Sequence, residues 1–180
     1  MRAAISQLDA HTSPEWTATI PRIDRPSIGF PQSRLLFPYS GSPTADNALD
    51  AAAEWAHALR ADAWAIYVRA WDTCRGGHYY VETPAEASAV AQVAVNRLRQ
   101  QGVTTSGVVR DADRAHVARA IVAEAEALDV RLIVLGTRAR SVLGTALLGS
   151  TSTAVARRAS RPVILVHGTC SSAGRRQLRR

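Results

Sequence analysis

VRLIVLGTRARSVLGTALLGSTSTAVARRASRPVILV, residues 130–166, decides the fold. Val130 to Leu135 is an apolar run broken only by Arg131 and ending on Gly136, the pattern of a strand buried on both faces of a parallel sheet. A loop with Gly136, Gly144 and Gly149 leads into Ser150-Thr151-Ser152, hydroxyl residues suited to open a helix because they accept from otherwise unpaired amides. Ala154, Val155 and Ala159 then fall at helical spacing, and Pro162 precedes a second apolar strand, Val163 to Val166. Strand, glycine loop, helix start and strand make a βαβ unit whose loop amides and positive helix end share one space. Phosphate is the first ligand this predicts. Gly144 to Thr151 has P-loop spacing with Ser150 in place of the lysine, which removes the charge that P-loop catalysis requires.

The segment resembles the C-terminal signature of the universal stress protein family. There a Gly, two residues, a second Gly, nine residues and a Gly-Ser or Gly-Thr pair cradle the phosphates of ATP. The matching positions are Gly136, Ala139, Gly149 and Ser150, so the second glycine is replaced by alanine. A glycine required for positive φ would make Ala139 cost on the order of 1 kcal/mol or move the loop; one required only for close approach tolerates a methyl group. The family's first strand ends in an aspartate near the base, where this chain has Ser40. The resemblance implies a nucleotide site of Ser40, Gly136, Arg138, Ala139, Gly149, Ser150 and Thr151, with Arg138 adding charge and Mg as an optional companion. The family's last strand pairs with its copy across a two-fold axis, which implies a homodimer through Val163 to Val166.

With 180 residues the chain suits one domain. It is 47% hydrophobic but 6% aromatic and alanine-rich, which fits helices packed closely on a sheet. The net charge of +7 comes from arginine alone, and without lysine there is no Schiff-base or P-loop lysine chemistry. Much of the excess lies in Arg175-Arg176-Gln177-Leu178-Arg179-Arg180, so nucleic-acid contact is expected of this basic tail only. Cys74 and Cys170 have no CxxC spacing, which predicts free thiols in a reducing cytoplasm. No run approaches the roughly 18 apolar residues of a membrane span.

Residues 1–33, with Pro14, Pro21, Pro26 and Pro31, read as an extended arm; 34–167 form the domain, and 168–180 a disordered tail. Arg34 to Tyr39 is the first strand, with Pro38 ending or bulging it, followed by a helix from about Thr44 to Leu59. Asp62 to Trp71 is the second strand and Asp72 to Tyr80 a loop. Thr83-Pro84-Ala85-Glu86 is a capping box opening a helix that stops at Gly102. Val103 to Val109 is a third, edge strand, and Asp113 to Leu128 a helix capped by Asp111 or Asp113, two carboxylates that also stand near a ribose or metal position. The expectation is an α/β protein: a three-layer α/β/α sandwich on a five-stranded parallel sheet. The family adds the order 3-2-1-4-5 and the Rossmann-like adenine nucleotide alpha hydrolase-like fold. Ser40 and Gly136 then face each other across the crevice where the strand order reverses.

His57, His78, His116 and His167 lack ligand spacing, and no G-x-S-x-G elbow or triad is visible. The function this implies is a dimeric, cytoplasmic sensor or regulator in the stress response that binds ATP or another adenine nucleotide with little or no turnover. The alternative is an interaction module without nucleotide, contacting an unidentified protein or nucleic acid.

Overall fold

The computed structural model describes residues 19–20, 33–75, 77–137 and 150–167. Strand β1 is Thr19–Ile20, β2 Arg34–Pro38, β3 Asp62–Cys74, β4 Gly77–Tyr80, β5 Thr105–Asp113, β6 Leu132–Thr137 and β7 Val163–His167. Helix α1 is Pro43–Leu59, α2 Pro84–Gln100, α3 Val117–Ala127 and α4 Ser150–Arg158. The sheet runs β1-β5-β3-β2-β6-β7, with β4 paired to β3. Its five central strands are parallel and stand in the expected order. Leu35 and Phe37 point to one face, under α1 and α2; Leu36 and Ile66 point to the other, under α3 and α4. Period-two alternation of a strand buried on both faces therefore builds two cores at once.

The sheet is mixed rather than wholly parallel, because two antiparallel strands extend it. Thr19–Ile20 lies against Gly107 and Val108 on the outer side of β5, so the strand expected at the edge has a neighbour there. The segment Asp72 to Tyr80, expected to be a loop, is a hairpin in which Trp71 faces Tyr80 and Thr73 faces His78. Glycines there had suggested a loop; the flanking aromatic and β-branched residues instead pair across a reversal. The rest of the expected arm and the tail 168–180 lie outside the described residues.

Strand β5 begins later and runs longer than expected, because Val103 N–H closes the end of α2 on the Leu98 carbonyl. At its far end Asp111 does not cap a helix. It takes a two-pronged hydrogen bond from the buried Arg69, at 2.8 and 2.6 Å, while the guanidinium stacks 3.9 Å from the Tyr80 ring centroid. Asp113 does cap, accepting from Ala115 N–H at 2.7 Å, but it starts a single 3-10 turn, Arg114–His116, before α3. The capping box holds: Thr83 and Glu86 exchange bonds at the start of α2, and Gly102, at φ +79°, follows its end. Among the described residues no helix is long and apolar enough to cross a membrane, and no group of three or more His, Cys, Asp or Glu is arranged to hold a metal.

Candidate functional site

Strand β2 is the shortest of the central strands at its upper end, and a cleft of about 300 Å³ opens where it stops. Pro38 closes the strand because it has no N–H to donate. The next residue still reaches β3, through Tyr39 N–H to the Ile66 carbonyl at 2.9 Å. Two helices start at this cleft. Helix α1 begins after Ser42, whose Oγ accepts from Ala45 N–H at 3.4 Å, and α4 begins at Ser150. Each brings the positive end of its dipole to one space, although in α1 Pro43 has no N–H and the Ala45 and Asp46 amides already bond Ser42.

Gly136 explains how they converge. A Cβ built there would run into the Thr44 carbonyl oxygen, with the carbonyl carbon 2.8 Å away. The bare backbone at the end of β6 thus lets the first turn of α1 lie directly against it. The Gly136 carbonyl also accepts from Ser152 Oγ at 3.0 Å, which ties the first turn of α4 to the same residue.

Of the residues expected at the site, Ser40, Gly136, Ser150 and Thr151 all line this cleft. Arg138, Ala139 and Gly149 lie outside the described residues. Ser40 Oγ is 2.9 Å from Ser42 Oγ, so hydroxyls from β2's end and α1's cap stand together. The sequence reading missed Ser42, Ser152, Tyr39, Tyr67, Val68 and Val117, which share the lining. Tyr39 and Tyr67 are buried, and burial is the main cause that pushes each phenol up to about 12. Tyr39 also donates to Asp46 at 2.7 Å, and Arg97 holds that same carboxylate at 2.6 Å.

The cleft has two unlike ends. Near β6 and α4 it is hydroxyl-lined, with Ser40, Ser42, Ser150, Thr151 and Ser152. Near α3 it is apolar, with Ile66, Val68, Val117 and Ile121. Backbone register adds polar groups to the apolar end. Ala63 N–H bonds Thr104 beside β5, whereas Ile66 C=O bonds Tyr39 beside β2. Odd residues of β3 therefore turn to β5 and even ones to β2, so Val68 presents its N–H and C=O above the point where β2 has ended.

The sequence model of the universal stress protein family matches residues 32–167. The chain belongs to the universal stress protein family. As a universal stress protein it superposes on a family member from Burkholderia pseudomallei with 26% identity and a TM-score of 0.57, covering 74% of this chain and 95% of that one. A universal stress protein from Archaeoglobus fulgidus gives 24% identity and a TM-score of 0.62, with 76% and 98% covered. Another from Archaeoglobus fulgidus, in complex with dAMP, gives 22% and 0.57, with 74% and 96% covered. A search of curated proteins found no match.

Proposed function

We propose that this universal stress protein binds an adenine nucleotide, ATP or a shorter relative, in the cleft above β2, as a sensor or regulator with little or no turnover. The observation that carries this is the cleft's polarity. Two helix starts and five hydroxyls at one end suit a phosphate group, since the positive dipole ends attract an anion and hydroxyls donate to it without needing lysine. The apolar end suits a planar base, and Val68 supplies one donor and one acceptor for its edge. Adenine matches that pair, N1 accepting and the 6-amino group donating. The dAMP complex of the Archaeoglobus relative supports the same ligand class.

We take the site as one for binding rather than turnover. Among its described residues no carboxylate or imidazole is present to act as a general base. Calorimetric titration of AMP, ATP and UMP into the full chain tests the reading. Stoichiometric binding of an adenine nucleotide with no heat from UMP is expected; no heat from any of the three overturns it in favour of an interaction module.

We also propose a homodimer through β7. Its outer edge has no neighbouring strand among the described residues, and Val163 to Val166 are only half-buried. Sedimentation at micromolar concentration is expected to give a dimer, and a monomer would contradict it.

A further inference from the structure

Four large apolar side chains stand exposed among the described residues, and two of them, Tyr79 and Val81, belong to the hairpin strand β4 and its exit. They are 50% and 64% exposed. Tyr79 faces Asp72, which takes a hydrogen bond from Arg114 in the 3-10 turn that leads into α3, so Tyr79 lies on the α3 side of the sheet. Val81 follows in the bend after β4, between Tyr80 and Glu82, whose side chains meet Arg69 and Tyr67 on the α2 side, so it falls on the opposite side with Tyr79. Val68 and Val117 also lie there and line the cleft. Beyond the cleft lining, apolar surface thus continues from Val68 to Val81 and Tyr79, with the Asp72–Arg114 ion pair beside Tyr79 on the same face.

Strand direction says what part of a ligand meets it. β3 runs from Asp62 up to Cys74, so the Val68 carbonyl stands above its own amide. An adenine read by that pair has its 6-amino nitrogen above N1, and a group on the far side of that nitrogen projects along this surface. We infer that the ligand is an adenine nucleotide carrying an apolar substituent on its 6-amino nitrogen, with Val81 and Tyr79 as the subsite for that substituent. This rests on the nucleotide reading above. The remaining amino hydrogen still donates to the Val68 carbonyl, so the substituent adds contact without removing a bond.

AMP and N6-benzyl-AMP are titrated into the full chain and into Val81→Glu and Tyr79→Ser variants, with circular dichroism to verify folding. The benzyl compound is expected to bind roughly tenfold more tightly than AMP, the scale of a modest apolar contact. Both variants should erase that gain while keeping AMP affinity within about twofold, since exposed positions rarely disturb the fold. Intact AMP binding with equal or weaker binding of the benzyl compound overturns the subsite alone. A gain that survives both substitutions overturns its assignment to this surface. Failure of both ligands in the parent chain overturns the nucleotide reading itself.

Discussion

Gly136→Ala is expected to lose about 3 kcal/mol of folding stability and the greater part of any nucleotide affinity, although it adds one methyl group to a strand. The added carbon has no free volume: its nearest neighbours are the Thr44 carbonyl and Ala45 N, 3.1 Å away, all main chain of the first turn of α1. A side chain could rotate aside, but here helix and strand have to separate. Separation would also draw apart the two helix starts that define the hydroxyl-lined end of the cleft. Urea denaturation measures the first effect through the midpoint at constant slope, and calorimetry measures the second. A variant within about 0.5 kcal/mol of the parent, the range of ordinary surface changes, would show that α1 does not rest on β6.

Asp111→Ala should destabilise by a comparable amount, about 3 kcal/mol, by a different route. The Arg69 side chain is 6% exposed and its charge is met by Asp111, which is itself 18% exposed. Removing the carboxylate leaves a buried guanidinium with its principal partner gone, and the lost desolvation is not recovered. Replacing both partners by apolar residues, Arg69→Met with Asp111→Leu, should recover most of the loss, because a buried pair is close to neutral against a packed apolar pair. Thermal denaturation of the two single variants and the double one forms the cycle that separates these terms. If Asp111→Ala alone is neutral, the pair does not hold the top of the sheet.

The parts legible in the sequence were those encoded by local pattern. The apolar strands, expected at 130–135 and 163–166 and found at Leu132–Thr137 and Val163–His167, the Thr83 capping box and the stop at Gly102 each rest on a few neighbouring residues, and alternating strands and helices leave few topologies. The hairpin was not legible because Gly76 and Gly77 read as loop signals, while what makes the strands is pairing of Trp71 with Tyr80 across the turn. Asp111 looked like a cap because the partner that holds it in the strand, Arg69, is 42 residues away. At the site, glycines and hydroxyls were visible as a spacing. Val68 and Val117 were not, since nothing in an apolar residue's local sequence says that a neighbouring strand stops beside it. Gly136 was visible for its place in a phosphate loop, yet the structure gives it a packing role against Thr44 as well.

In the function proposed, the cleft above β2 takes an adenine nucleotide base-first against β3. Titrating AMP into nitrogen-15-labelled protein and following backbone amides tests it most directly. Saturable shifts are expected, concentrated at Val68, Gly136 and the first turn of α4, Thr151 and Ser152, with the amides of β7 unmoved. Shifts confined to other parts of the sheet, or none at saturating AMP, would contradict it.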